Sequence, residues 1–517
     1  MIFLTSAPHF ALSGWFLTSA CTALKASQFI GRDSPAKDSG PYVAEGGSEI
    51  FERNGASRAL AALAAIFLAT CSLLGSTVGQ ERAVVSRPNV ILILADDLGY
   101  GDLGCYGATD LHTPNIDGLA KQGMRFSQFY ANSPVCSPTR AALLTGCFPD
   151  RVGVPGVIRT HCDNSWGFLS PEATLLPELL KRAGYQTAMV GKWHLGLDVP
   201  NIPTRRGFDL FWGFIGDMMD DYWNHRRHGI NYMREGEREI DPPGHATSVF
   251  TEFACRFLEE HAREPFFLYL AYNAPHSPIQ PPEDALLRYR QRFPKVSERR
   301  AKLAALVEDL DRAVGRVLET LYRLGLAERT FVFFTSDNGG QEAFGSDNGP
   351  LAGEKGQMLE GGIRVPALAI WPGHIPPESQ TDAVGLSMDL FPTICELAGV
   401  LPPGEIDGRS LLPILLGNSM HEETRTLFWV RMEGGKFNGR AIYAVRKGPW
   451  KLLQNMPEEP FKLYNLQDDP GETKDCATAR PEVFSQLMSE LQAHRRRCAS
   501  VPWRLPDGCG PGELRRN

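Results

Sequence analysis

Short unbroken apolar runs alternate with longer amphipathic stretches through most of this chain. Asn89–Ala95 (NVILILA), Phe266–Ala271 (FFLYLA) and Phe331–Ser336 (FVFFTS) carry few polar residues. Runs of this length, rich in β-branched or aromatic residues, predict strands buried on both faces, as in the middle of a parallel sheet. Gln186–Val190 predicts a shorter strand and Arg364–Trp371 another. Helical periods lie between them. Thr113-Pro114-Asn115 opens a helix through Gly123, with Ile116, Leu119 and Ala120 as its apolar stripe. Arg299–Leu326 predicts one long amphipathic helix, because Leu303, Leu306, Leu310, Val314, Val317 and Leu321 recur at helical spacing. Strands alternating with helices predict an α/β fold, with a large, mostly parallel central sheet flanked by helices.

The pattern changes near Leu427. Ala441–Arg446 and Trp450–Leu453 read as short strands around Lys447-Gly448-Pro449, a hairpin signal. Phe461–Leu466 follows, and Glu482–Arg495 is a final amphipathic helix. A smaller C-terminal antiparallel sheet with one helix is expected there. The N-terminal end differs again. Ala59–Gly75 is an uncharged apolar run behind Arg53 and Arg58, followed by the small residues Ser76, Thr77 and Gly79. That is the order of a secretory signal. Residues 1–86 therefore read as a leader, 87–425 as a catalytic domain and 426–517 as a small α+β subdomain. Leu68-Ala69-Thr70-Cys71 also resembles a lipoprotein cleavage site, but Thr70 before the cysteine favours simple export. A signal this far from Met1 points to a translation start downstream of it. The apolar run is short for a span and nothing later is longer, so no stable membrane span is expected. The expected location is periplasmic, secreted or lysosome-like.

With 517 residues, 43% hydrophobic and 22% charged, the composition is that of an ordinary globular protein. The net charge of −7 argues against nucleic-acid binding. An anionic substrate would have to be drawn by a local basic pocket. Cys21 and Cys71 fall in the leader. Cys105, Cys147, Cys162, Cys255, Cys395, Cys476, Cys498 and Cys509 are spaced irregularly, show no zinc pattern and permit disulfides. Cys498–Cys509, bracketing a Pro/Gly-rich tail, is the expected pair.

In open α/β sheets, ligands bind outside the carboxyl ends of the strands. Separate strands end there in Asp96 and Asp97, in Lys192 and His194, in His276, and in Asp337 and Asn338. Asp96, Asp97, Asp337 and Asn338 offer hard oxygen ligands suited to Ca²⁺ or Mg²⁺. Taken pair by pair they read better as Asx-turns closing two strands, and the metal reading gains only when they are taken together with a nucleophile between them. Lys192, His194, His276 and Lys355 taken singly read as ordinary loop residues. His225-Arg226-Arg227-His228 reads as a solvated charged loop, the alternative being a subsite for a polyanionic chain.

The remaining candidate is Cys136, in Ser133-Pro134-Val135-Cys136-Ser137-Pro138-Thr139-Arg140. Pro138 suits the first turn of a helix. Cys136 then sits at or just before a helix N-terminus, where free N–H groups and the dipole favour an anion. Arg140 lies on the same helix face. A nucleophile, a cation and a helix N-terminus at one spot suit attack on an anionic centre. The plainer alternative is a buried structural cysteine before a capped helix.

Cys136-x-Pro138-x-Arg140 with Leu144-Thr145-Gly146 following resembles the signature of the type I sulfatases, in the alkaline phosphatase superfamily. The resemblance runs from about Pro88 to Gly471 and is nearest the arylsulfatase A and N-acetylgalactosamine-6-sulfatase group. It departs at Cys147, where the family usually carries a basic residue. It implies an alkaline-phosphatase-like fold and hydrolysis of aryl or carbohydrate sulfate esters. It implies oxidation of Cys136 to Cα-formylglycine by a sulfatase-maturing enzyme, the hydrated aldehyde being the nucleophile. It implies one Ca²⁺ held by Asp96, Asp97, Asp337, Asn338 and residue 136. Arg140 would hold the formylglycine, and Lys192 and Lys355 would clamp sulfate oxygens. His276 or Lys355 would protonate the leaving alcohol, and His194 would deprotonate the hydrate to expel sulfate. The partners implied are a sulfated small molecule or glycan and the maturing enzyme. The rival readings are a formylglycine-dependent phosphonate or phosphate ester hydrolase and a non-catalytic sulfoglycan-binding protein, which would need no nucleophile.

Overall fold

Asn89–Ala95 is buried at every position and lies inside a ten-stranded sheet. The computed structural model describes residues 87–161, 164–418, 424–433 and 441–503, which fall in one compact unit. The expected leader, 1–86, lies outside them. In spatial order the strands are Ser379–Thr381, Met124–Phe126, Ala367–Ile370, Thr330–Ser336, Asn89–Ala95, Phe266–Ala271, Gln186–Lys192, Leu210–Phe214, Met233–Glu235 and Arg238–Glu239.

From Thr330–Ser336 across to Leu210–Phe214 every pairing is parallel. The carboxyl ends of these strands therefore share one edge, and Asp96, Lys192, His276 and Asp337 arrive on it from four of them. Each flank begins with an antiparallel pairing. Ala367–Ile370 pairs antiparallel with Thr330–Ser336, and Met233–Glu235 with Leu210–Phe214. The expected 364–371 strand is thus shorter and reversed. Pro366 cannot donate to a ladder, so pairing begins after it.

The long helix spans Glu298–Arg323, with the Ser297 side chain capping the Arg300 N–H. Its leucine and valine stripe is buried. Pro114–Gln122 is the predicted first helix. Among the described residues no helix is long and apolar enough to cross a membrane.

The smaller sheet orders Thr426–Met432, Ala441–Lys447, Trp450–Gln454 and Lys462–Asn465, all antiparallel. Its residues alternate cleanly between two faces. Trp429, Ile442, Ala444, Leu453 and Tyr464 pack with Tyr130, Ala142 and Phe148 around the Cys136 helix. Val430, Tyr443, Val445, Leu452 and Leu463 pack instead with Leu487 and Leu491 of the final helix, Pro481–Cys498. Trp429 Nε1 donates to the Ala131 carbonyl at 2.8 Å, which ties this sheet to the entry of the Cys136 helix.

Cys105, Cys136, Cys147, Cys255, Cys395, Cys476 and Cys498 are free thiols. No disulfide joins cysteines among the described residues. Cys509, the expected partner of Cys498, and Cys162 lie outside them.

Candidate active site

The helix Cys136–Thr145 follows Val135, whose extended backbone leads into it without a side-chain cap. Its first N–H groups are therefore left for another acceptor. Every residue of this helix is buried, Arg140 included. Cys136 Sγ lies 3.5 Å from Asp96 Oδ1. Burial pushes the thiol pKa up despite the pull of Lys192 and Lys355. As a thiol, residue 136 stays protonated and weakly nucleophilic at neutral pH.

The carboxylates around it are each held by a cation. Lys192 Nζ lies 2.6 Å from Asp96 Oδ2. Lys355 Nζ lies 2.7 Å from Asp97 Oδ2. Arg140 grips Asp337 Oδ2 through Nε at 3.0 Å and Nη2 at 2.6 Å, and donates from Nη1 to the Lys192 carbonyl. Its hydrogen bonds thus brace Asp337 and the Lys192 backbone instead of the Cys136 side chain. Burial alone would raise Asp96, but Lys192, His276, Arg140 and Lys355 hold it well below the usual carboxylate range. Asp337 goes the other way. Burial and the neighbouring Asp96 push it up to about 7 against the pull of Arg140.

The histidines are fixed by carbonyls. His194 Nε2 is 2.7 Å from the Ile158 oxygen. A carbonyl only accepts, so Nε2 carries the proton and Nδ1 keeps its lone pair. That Nδ1 is buried without a hydrogen-bond partner. His276 Nδ1 is 2.6 Å from the Ser277 oxygen, and its Nε2 faces Asp97 Oδ2 at 3.6 Å. Burial lowers both histidines. Lys192 lowers His194 further, and Lys355 lowers His276. Both rings are neutral at pH 7. Asp97 (φ 67°) and His194 (φ 61°) adopt left-handed backbone conformations that disfavour side chains and gather at functional sites.

These groups meet in a cavity of about 520 Å³ lined by Cys136, His194, His276 and Lys355. Arg159, Asp217, Arg227, Gln341 and Arg431 complete much of its wall. A larger cavity of about 1170 Å³, bordered by Arg364, Arg409, Arg425 and Arg446, touches none of the strand-end residues.

The Sulfatase family model matches residues 88–400. This chain belongs to the sulfatase family. The C-terminal model described as N-sulphoglucosamine sulphohydrolase matches residues 353–497. The sulfatase is 39% identical to human N-acetylgalactosamine-6-sulfatase over 458 residues, covering 79% of this chain and 85% of that one. It is 36% identical to human arylsulfatase A, covering 79% and 88%. Its fold superposes on a crystal structure of Ps i-CgsB in complex with k-i-k-neocarrahexaose with a TM-score of 0.74 and 31% identity, covering 81% of this chain and 95% of that one. The chain is a sulfuric ester hydrolase.

The sulfatase's predicted site residues therefore do come together, from loops more than two hundred residues apart in sequence. The oxygen donors of the site, Asp96, Asp97 and Asn338, fit a hard cation. Ligand atoms of Asp96, Asp97, Cys136 and His276 lie within 4.8 Å of one another. Asn338 donates from Nδ2 to Asp97 Oδ1 at 2.8 Å, while its own Oδ1 is buried without a partner. An orphaned carbonyl-type oxygen beside crowded carboxylates is what an oxygen-ligated ion requires.

The charged 225–228 loop divides. Arg226 pairs with Asp241 outside the cavity lining, whereas Arg227 pairs with Asp217 at 3.0 Å and lines the cavity. Sequence reasoning missed Arg159, Asp217, Gln341 and Arg431, which sit in no recognisable pattern.

A second convergence, Asp150, His494 and Cys498, also brings ligand atoms within 4.8 Å. Here every polar group has a protein partner. Arg497 reaches His494 Nδ1 at 3.4 Å, and arginine only donates, so Nε2–H faces Asp150 Oδ2 at 2.9 Å. Cys498 Sγ lies 3.8 Å from the same Nε2. This is a closed hydrogen-bond cluster anchoring the final helix.

Proposed function

We propose that the chain hydrolyses sulfate esters of carbohydrates through formylglycine at position 136 and one calcium ion held by Asp96, Asp97, Asp337 and Asn338. The observation that carries this reading is the buried cluster itself: Cys136 at an uncapped helix start, 3.5 Å from Asp96 and ringed by cations and neutral histidines. When present, the ion polarises a sulfate oxygen and the aldehyde hydrate supplies the attacking hydroxyl.

The residues divide the remaining work. Asp96, Asp97 and Asp337 face Arg140, Lys192 and Lys355. Three carboxylates stand against three cations, with Asp337 pushed up to about 7, so a divalent ion bound among them would make the site net positive and suited to an anionic ester. Lys192 and Lys355 hold sulfate oxygens. His276 Nδ1–H is committed to the Ser277 carbonyl and its Nε2 carries no proton, so Lys355 is the proton donor to the leaving oxygen. Burial would lower the Lys355 ammonium, but Asp97 holds it above the ordinary lysine value until the ion takes up that carboxylate. His194, with its free Nδ1 lone pair, takes the proton that releases sulfate. Arg159, Asp217, Arg227 and Gln341 set donors beside acceptors along the wall. That mixture suits sugar hydroxyls better than an apolar aryl body. The catalytic domain spans 87–425 and the subdomain 426–517, and the chain acts after export or in a lysosome-like compartment.

Two measurements test this together. Mass spectrometry of the Cys136 peptide from active protein is expected to find formylglycine, and aryl sulfate is expected to turn over far faster than aryl phosphonate. Full activity with an unmodified thiol ends the formylglycine reading. A preference for phosphonate ends the sulfatase one.

A further inference from the structure

The small sheet does more than cover the Cys136 helix, because one strand end reaches two catalytic loops. Arg431 Nη1 donates to the Gly356 carbonyl at 2.7 Å, next to Lys355. Its Nη2 pairs with Glu433 Oε2 at 3.1 Å. Glu433 in turn accepts from the Val157 N–H at 3.2 Å and from Arg159 Nη2 at 3.2 Å. Between them, the Met432 N–H bonds the Pro155 carbonyl at 2.9 Å. The residue after Val157 is Ile158, whose carbonyl fixes the tautomer of His194.

Glycines permit both approaches. A Cβ on Gly356, at φ 89°, would lie 2.8 Å from Arg431 Nη1. A Cβ on Gly156 would lie 2.3 Å from the Met432 carbonyl oxygen. The Arg431 and Glu433 side chains are 6% and 0% exposed, so water cannot readily replace these bonds. Burial would raise Glu433, yet Arg431 and Arg159 hold it below the usual range, so the pair stays ionised.

We propose that Arg431 and Glu433 are positioning residues that set the Lys355 loop and the His194 tautomer together, so that the C-terminal sheet completes the active site. Arg431 fixes where the Lys355 ammonium sits. Glu433 fixes the 157–159 segment, and through Ile158 the nitrogen on which His194 carries its proton. The proposal rests on the roles given above to Lys355 and His194.

The test compares wild type with Arg431→Met, Arg431→Lys and Glu433→Gln, each normalised to its formylglycine content by mass spectrometry. A misplaced proton donor matters most when the leaving group is a poor one. For Arg431→Met we expect kcat to fall about 10-fold on a nitrophenyl sulfate and about 100-fold on an alkyl or sugar sulfate, with KM little changed. Arg431→Lys retains one donor to the Gly356 carbonyl and is expected to recover most of the loss. Glu433→Gln, which still accepts from Val157, is expected to fall less. A fall equal for all leaving groups and not rescued by lysine would make Arg431 a fold residue and overturn the proposal, as would no fall at all. The Glu433 half has a readout independent of turnover. The ¹⁵N shifts of His194 are expected to report the Nε2–H form in wild type and a mixture in Glu433→Ala. An unchanged tautomer overturns that half. Absence of any sulfate ester turnover in wild type would count against the functional reading and leave the tautomer measurement to decide the clamp.

Discussion

Two buried places in this molecule gather side chains able to hold a metal, and they differ in what is left over. At Asp150, His494 and Cys498, each hydrogen-bonding atom meets a protein partner, and the His494 ring is stacked 4.3 Å from Phe428. At Asp96, Asp97, Asp337 and Cys136, the Asn338 Oδ1 and the His194 Nδ1 have no partner, and Cys136 and His194 open onto a cavity. Convergence alone therefore does not mark function. Unspent bonding capacity beside an accessible space does, because a buried polar atom without a partner costs about 1–3 kcal/mol unless something else supplies the bond.

Removing a ligand from each place separates them most strongly. Asp337→Ala takes an oxygen from the crowded set and leaves Arg140 only its longer carboxylate contact, with Asp96 Oδ1 at 3.6 Å. Turnover is expected to drop by about a thousandfold. Undiminished hydrolysis, in this variant or in wild type stripped by a chelator, would reduce these carboxylates to turn residues. His494→Ala, by contrast, is expected to leave kcat within about twofold. It should lower unfolding stability by about 2–3 kcal/mol, because the bond to the Asp150 carboxylate is lost. A large fall in kcat in folded His494→Ala would erase the distinction.

The next largest effect sharpens the role of the free Nδ1. His194→Ala is expected to release about one equivalent of alcohol per active site and then turn over slowly, since the base for the second half-reaction is gone. A variant with no burst and only a raised KM would make His194 a binding residue. The pH dependence is a gentler probe. His194 is held below its ordinary value of 6.5 by burial and by Lys192. A base with a lowered pKa stays neutral to lower pH, so the acid limb of kcat is expected below pH 6.5. The sign for stability is opposite to that of a salt-bridged histidine. The unfolded chain takes up the proton first, so stability from this group is present above 6.5 and lost as pH falls beneath it. An acid limb centred above 6.5 would contradict this. The smallest effect is that of Asp150→Asn, which keeps an acceptor for His494 and is expected to cost about 1 kcal/mol with activity unchanged, read by denaturant unfolding.

The strand-end residues were legible in sequence because NVILILA, FFLYLA and FVFFTS admit few other readings, and parallel strands put all their carboxyl ends on one edge. Cys136 and Arg140 were legible as a local motif. What stayed hidden came from strands whose own pattern is weak. Leu210–Phe214 is short and carries Gly213, so its place next to Gln186–Lys192 had no signature. Arg431 lies near the end of the strand Thr426–Met432, on the face it shares with Trp429, and Glu433 lies just beyond it, where a charged side chain ordinarily reaches water. The loops of Gly156 and Gly356 close over them, and no spacing in the chain announces that meeting. The closed cluster was equally hidden, because Asp150 and His494 are 344 residues apart.

The complete burial of the Cys136 helix bears on the order of events in the life of this protein. From Cys136 to Thr145 every residue is buried, Cys136 meeting solvent only through the cavity, and the helix is covered by Trp429, Ile442 and Ala444 of the last sheet to be synthesised. An enzyme that must grasp the Cys136-Ser137-Pro138-Thr139-Arg140 segment as an extended peptide finds nothing to hold once that sheet has docked. On the function proposed above, oxidation of Cys136 would therefore have to reach the unfolded chain, in the interval between emergence of residue 140 and arrival of residue 464, before folding closes the window. A molecule that missed this interval would then keep its buried thiol, and refolding, not later exposure to a maturing enzyme, would give it a second chance.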